Sequence, residues 1–232
     1  IYLASFKMML YNIIERPVIN IVYIVSGGSL LSSDEFYINM IKSASVTIAC
    51  DSGIKLFRKF NIAPSYLIGD MDSAEENDVE WAKSIGVKIL KFPPEKNELD
   101  TELALIMARG LQENKAVLSG VLGSRIDQTM AGIYLLAAYN DLDSEINEDY
   151  INIGTVKNRR LFTALKGETW TVLPIGGEVK GLNLRGFKYE LTNKYLNAWD
   201  TLGVSNEAAK EKVEISLNEG IICYIRWIGK KV

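Results

Sequence analysis

The sequence predicts an α/β plus all-β fold. An N-terminal doubly wound, mostly parallel sheet with flanking helices is followed by a small C-terminal β-sandwich or barrel domain. Three observations predict it. In the first half, short β-branched apolar runs ending near Gly or Asp alternate with stretches of helical periodicity. The connections between these stretches are short, which is the pattern of parallel strands with helices packed on the sheet. After about Asp143 the helical periodicity stops, and strand-like runs separated by turn residues take over.

In chain order the strands are expected at Ile19 to Val25, Val46 to Ala49, Tyr66 to Ile68, Val87 to Phe92 and Ala116 to Ser119. Helices are expected at Ile54 to Phe60, Ala74 to Ile85, Asp100 to Gln112 and Asp127 to Tyr139. In the second half the strand-like runs are Tyr150 to Ile153, Thr169 to Leu173, Val213 to Leu217 and Ile221 to Trp227. Lys166-Gly167, Ile175-Gly176-Gly177 and Asn218-Glu219-Gly220 supply turn signals between them. The expected division is residues 1–145 for the α/β domain and 146–232 for the β domain. Ile1 to Ile14 is apolar but interrupted by Lys7 and Asn12, too short to span a bilayer. It lacks the basic start and cleavage site of a signal peptide, so residues 1–15 read as a non-native or disordered leader.

Composition narrows the chemistry. The net charge is −3 with no dominant basic tract, which argues against a nucleic-acid partner. The two cysteines, Cys50 and Cys223, have no metal-ligand spacing and fit a reduced cytoplasm. No histidine is present, which removes His-based triads, His-ligated zinc and His general bases. Catalysis therefore rests on carboxylates, Lys, Arg, hydroxyls or a hard metal ion.

The acids fall in a pattern. Asp51 follows the second strand, Asp70 and Asp72 follow the third, and Asp100 and Asp127 open helices after the fourth and fifth. All lie beyond carboxyl ends of strands, the edge at which doubly wound sheets bind ligands. Empty, such a cluster repels itself. Magnesium, held by carboxylates and substrate phosphates, relieves the repulsion. Gly27, Gly28, Gly53, Gly69 and Gly123 flank this edge and let backbone amides approach a polyphosphate. Lys96 and Arg125 supply cations for phosphate oxygens. Each piece has a simpler reading beside it. Asp100 and Asp127 also fit helix N-caps, Asp51 fits a turn residue, and Gly27-Gly28 fits a plain turn. No P-loop or dinucleotide fingerprint is present.

The combination is more specific than its parts. Cys50-Asp51-Ser52-Gly53 and Ile68-Gly69-Asp70-Met71-Asp72-Ser73 resemble the D-G-G and G-D-x-D-S signatures of the thiamine pyrophosphokinase family. Lys91 to Leu105 resembles its F-P-x-x-K-D-x-T-D-x-E-x-A-L stretch, and Gly120 to Thr129 its G-x-x-G-G-R-x-D-H-T stretch. Gly186 to Leu191 and Gly203 to Glu207 resemble its G-L-K-Y-x-L and G-x-S-N-E segments. The resemblance runs in order from about Val22 to Ile225. Ser52, Asn97, Leu99, Ser124 and Gln128 depart from it, Gln128 standing where the family has histidine.

The resemblance implies a cytoplasmic homodimer that transfers pyrophosphate from ATP to the thiamine hydroxyl, giving AMP and thiamine diphosphate. It implies Mg2+ at Asp70, Asp72 and Asp100. Phosphates would lie at Lys96 and Arg125, with Gly53 and Gly123 on the nucleotide side. Asp51 and Asp127 would stand near the nucleotide or the attacking hydroxyl. Ser205 and Asn206 would bind thiamine in a pocket formed across the dimer interface; by residue type Trp199 or Tyr189 suits covering its rings, and each also fits a core aromatic. A related pyrophosphokinase acting on a pterin alcohol, or a non-catalytic nucleotide or thiamine sensor, are the alternatives. No membrane partner is expected.

Overall fold

A computed structural model describes residues 20–111, 113–123 and 125–229. The expectations for residues 1–15, for Ile19 and for Gln112 fall outside the described residues. Strand β1 (Ile21–Val25) is the spine, with Val22 to Val25 fully buried. It is followed by α1 (Asp34–Ser43), β2 (Val46–Cys50), α2 (Ile54–Phe60) and β3 (Tyr66–Gly69). Then come α3 (Glu76–Ser84), β4 (Lys88–Lys91), α4 (Asp100–Gly110), β5 (Lys115–Ser119) and α5 (Ile126–Ala138). Strands β1 to β5 pair in parallel, in the spatial order β5-β1-β2-β3-β4. The chain steps outward from β1 to β4 and then crosses back to the other side of β1. The carboxyl ends of β1 and β5 therefore flank a topological switch point.

Helix α1 is an addition to the sequence reading. Its apolar face is short: Tyr37 and Ile41 are buried, and Phe36 and Met40 are partly buried against the same core. Its end signals were nonetheless present: Ser33 Oγ accepts from Phe36 N–H at the N-cap, Asp34 and Glu35 fill the first turn, and Lys42 closes the last.

The second half consists of β6 (Glu145–Glu148), β7 (Ile151–Val156), β8 (Arg159–Thr163), β9 (Thr169–Pro174) and β10 (Val179–Arg185). They are followed by β11 (Leu191–Leu196), β12 (Gly203–Glu207), β13 (Lys212–Ser216) and β14 (Ile222–Trp227). Strand β6 pairs in parallel with β5 and antiparallel with β7, so it splices the two halves into one sheet. That sheet has ten strands in the order β12-β9-β14-β7-β6-β5-β1-β2-β3-β4. A second sheet of four strands, β11-β10-β13-β8, packs on its antiparallel end and makes the sandwich.

The sandwich core is aromatic. Trp170 on β9 and Tyr224 on β14 are fully buried against Leu182, Leu184, Val213 and Ile215 from the facing sheet. Phe162 on β8 reaches across, its ring 5.1 Å from Trp170 and 4.9 Å from Tyr224, both edge-on, the arrangement the ring quadrupoles favour. A Trp170→Ala protein is expected to lose about 3–5 kcal/mol, the usual cost of a large-to-small change at a fully buried aromatic. Urea titration reads this directly. A loss below about 1 kcal/mol would mean the two sheets do not share a close-packed core.

Candidate active site

At the switch point two loops approach closely. Gly28 N–H donates to the Gly120 carbonyl at 2.7 Å, and Ser29 N–H to that of Leu122 at 3.1 Å. A Cβ on Gly28 would stand 2.3 Å from the Gly120 oxygen, so only glycine allows this approach. The loops form one wall of a cleft of about 780 Å³, a size that suits a small-molecule ligand. Asp51, Asp72, Lys96, Asp100, Arg125 and Gln128 also line it.

The chain leaves β2 in a sharp turn, with Asp51 at φ 44°. Its carboxylate is buried, and Oδ1 accepts from Met71 N–H at 3.2 Å. Gly69 makes room for it: a Cβ there would lie 1.7 Å from Asp51 Oδ1. Beyond β3, Asp70 Oδ1 accepts from Asp72 N–H at 3.0 Å. One carboxylate oxygen each from Asp51, Asp70 and Asp72 lie within 4.8 Å of one another. Asp100, at the start of α4, pairs instead with Lys96 at 2.9 Å, and Lys96 also stands 3.7 Å from Asp70. The structure thus groups Asp51 with the Asp70 and Asp72 pair, and sets Asp100 beside them through Lys96.

Electrostatics follow from the crowding. Burial, then a shared hydrogen bond with Asp100 and the charges of Asp100 and Asp70, push Asp51 up to about 7. The Asp72 N–H bond, aided by Lys96, holds Asp70 below the ordinary carboxylate value, while Asp70 in turn raises Asp72. Burial alone would lower Lys96, but its bond to Asp100 and the surrounding acids raise it. The cluster offers oxygen donors and an excess of negative charge. That donor set fits a hard divalent cation such as Mg2+ and does not fit zinc or copper, which favour nitrogen and sulfur.

Other expected residues sit differently. Gly53 packs under β1, where a Cβ would meet the Val25 carbonyl at 2.1 Å, so it supports the cleft from below. Gly123 lines the cleft. Arg125 stands at the rim, its guanidinium forked onto Asp127 at 2.9 and 2.6 Å, and this pairing holds Asp127 well below its usual range. Asp127 is on the exposed outer side of that pair rather than in the cleft lining. Ser205 and Asn206 lie on β12, at the far edge of the large sheet. Six strand spacings separate β12 from β1, about 30 Å along the sheet. Asn206 is buried and occupied: Oδ1 accepts from Tyr189 and Glu207 N–H, and Nδ2 donates to the Tyr189 carbonyl. The side chain clamps the 188–190 loop to β12. Ser205 is exposed at φ 56°.

Sequence reasoning passed over Ser26 and Thr101, whose hydroxyls meet at 2.8 Å and tie the end of β1 to the first turn of α4. Polar residues just past a buried strand were the available signal.

The model of the catalytic domain of thiamin pyrophosphokinase matches residues 37–147, and the model of its vitamin B1 binding domain matches residues 155–222. The chain belongs to the thiamin pyrophosphokinase family. Thiamine pyrophosphokinase from Bacillus subtilis (strain 168) is 25% identical over 185 residues, covering 77% of this chain and 86% of the relative. A crystal structure of that enzyme from Bacillus subtilis superposes with a TM-score of 0.80 at 23% identity, over 91% of this chain and all of the other. The structure from Geobacillus thermodenitrificans gives 0.76 at 26%, over 89% and 97%. The yeast structure gives 0.76 at 15%, over 92% and 88%, and attests the fold.

Crowded acids make a cation stabilising. Magnesium that binds only the folded protein is expected to raise stability by about 2.7 kcal/mol at a hundredfold excess over Kd. Gly69→Ala, which drives a methyl into Asp51, should abolish most of that gain. Thermal melts with and without Mg2+ read both, and identical melts for the wild type would remove the metal assignment.

Proposed function

We propose that the protein is a magnesium-dependent thiamine pyrophosphokinase, converting ATP and thiamine to AMP and thiamine diphosphate. The observation that carries this reading is the acid cluster of Asp51, Asp70 and Asp72 beside Lys96, in a cleft at the switch point. The reaction forms a bond from the thiamine hydroxyl oxygen to the β-phosphorus and breaks the bond from that phosphorus to the α,β-bridging oxygen. The hydroxyl proton leaves to a carboxylate or to water. Such transfer depends on in-line positioning and charge neutralisation more than on covalent chemistry.

In this reading Asp70, Asp72 and Asp100 hold the metal, with Asp51 as a further carboxylate of the group. Bound there, magnesium would offset the negative charge of the triphosphate. The Gly27-Gly28 and Gly120 to Gly123 loops present backbone to the phosphates. Lys96 contributes a point charge, and Arg125 a planar fork that Asp127 holds at the rim. Residues 1–145 carry this nucleotide side, residues 146–232 the thiamine side, and the enzyme works in the cytoplasm.

Within one chain the thiamine segment on β12 is remote from the acids. We place it against the cleft of a second copy in a homodimer. Exposed apolar side chains on β12, in the loop leading into it and in the loop that Asn206 holds to it suit burial: Tyr189, Trp199, Leu202 and Val204, with Trp199 79% exposed. Asn206 in this arrangement shapes the thiamine side by fixing the Tyr189 loop, and Ser205 is free to contact the substrate. The match of the vitamin B1 binding model supports thiamine over a pterin alcohol. Retention of the acid set supports an enzyme over a sensor.

A coupled assay for AMP release, run with and without thiamine, tests the reading. Asp72→Asn is expected to lower turnover by about a hundred- to a thousandfold with the fold intact by circular dichroism, the range for losing one transition-state charge contact. Near-normal turnover would sink the role. Trp199→Ala is expected to raise the thiamine KM about tenfold while nucleotide binding without thiamine stays unchanged, since only ring cover is lost. Equal loss for both ligands would place Trp199 in the fold instead.

A further inference from the structure

Glu148, at the end of β6, is fully buried. Among the described residues no lysine or arginine pairs with it. Burying a carboxylate without a cation is costly unless hydrogen bonds replace the lost water. Three donors do so here. Ser32 Oγ–H and Tyr37 Oη–H donate to Oε2, the latter at 2.9 Å, and Gly120 N–H donates to Oε1 at 3.0 Å. Tyr37 Oη also accepts from Ser32 N–H at 3.0 Å. The next residue continues the clasp: Asp149 Oδ2 accepts from Ser33 N–H at 3.0 Å, and Asp149 N–H donates to Ser32 Oγ at 2.9 Å.

The donors belong to the two segments that build the glycine wall. Ser32 and Ser33 end the segment whose start, Ser26 to Ser29, lines the cleft. Gly120 begins the facing loop at φ 68°, and its carbonyl receives Gly28 N–H. One carboxylate therefore holds the two loops in register from behind, on a strand none of whose own residues lines the cleft. Ordinary core packing would place an apolar side chain at this position, with no cost of desolvation. The choice of a charged group with three convergent acceptances is explained by the loops it fixes.

We propose that Glu148 is a positioning residue for nucleotide binding: its carboxylate joins the Ser26–Ser33 segment to Gly120 and so sets the backbone wall that receives the triphosphate. This rests on the reading of the cleft as the nucleotide site. The residue lies outside the cleft lining and acts through the placement of the two loops, so its loss should appear in nucleotide affinity and leave thiamine affinity alone.

The test is nucleotide titration by calorimetry without thiamine, with Mg2+ present, alongside steady-state KM values for both substrates. In Glu148→Ala, ATP affinity is expected to fall about tenfold and the ATP KM to rise in parallel, the scale of a lost buried hydrogen bond. The thiamine KM should stay within about twofold, and Glu148→Gln, which keeps an acceptor for Gly120 and the side-chain shape, should recover most of the loss. Should Glu148→Ala not fold, Ser32→Ala removes one of the three bonds from a loop position and is expected to weaken ATP about threefold. Unchanged ATP affinity in a folded Glu148→Ala, or in Ser32→Ala where the former does not fold, overturns the inference. So does equal weakening of both substrates. Wild-type protein that binds no nucleotide overturns the functional reading, and the inference with it.

Discussion

Mutual repulsion among carboxylates is the constraint on which the rest of the site depends. Asp51, Asp70 and Asp72 bring an oxygen each to within 4.8 Å of one another, and Asp100 stands next to them across Lys96. Like charges at this spacing disfavour one another's ionisation: burial first and then the neighbouring acids raise Asp51, Asp70 raises Asp72, and Asp70 itself is held low by the Asp72 N–H bond and Lys96. Holding them requires backbone that resists relaxation. The turn after β2 places Asp51 in the left-handed region, the backbone at Gly69 leaves space for its carboxylate, and Met71 and Asp72 N–H bonds hold the oxygens. Strain and repulsion of this kind persist in functional sites because the surrounding structure over-determines them.

That surrounding structure is a single long sheet. A parallel sheet needs helices on both faces, and β1 with its four buried residues satisfies this. At β6 the pairing changes from parallel to antiparallel. The same strand carries Glu148 at its end and Glu145 at its start, where Lys115 and Arg160 pair with it at 2.7 and 3.4 Å. One short strand thus ties the glycine wall of the cleft to the sandwich.

Much of this was legible in the sequence, for physical reasons that differ by residue. Asp70 and Asp72 were legible because two acids straddling one residue past an apolar strand have no use as caps. Strands β1, β2, β3 and β5 were legible because parallel strands buried on both faces read as continuous apolar runs. Helix α1 was legible too, in the helical spacing of Phe36, Tyr37, Met40 and Ile41, and went unread. Strand β11 was not legible, because its middle is exposed and its pairing with β10 shifts register, so the period-two signal is broken. The continuity of the sheet through β6 was not legible at all: pairing partners are non-local, and a four-residue strand announces no neighbour. At Asn206 the sequence showed the residue type and not its partners. Ser and Asn in a polar turn fit a ligand contact, yet the amide is spent on Tyr189 and Glu207 backbone.

The lack of histidine is reconciled with catalysis by the same geometry. Gln128, on the first turn of α5, lines the cleft where the family pattern has an imidazole. A neutral amide cannot carry a proton at neutral pH, but it can orient an oxygen by donating and accepting hydrogen bonds. Phosphoryl transfer through a loose transition state asks for little proton movement before the bond to the leaving group has lengthened, so the attacking hydroxyl needs placement more than a strong base. The cleft is lined by carboxylates, and burial first and then its acidic neighbours raise Asp51 to about 7. With acids, one lysine and two glycine loops at the cleft, placement of the attacking oxygen is a task that Gln128 can share without titrating.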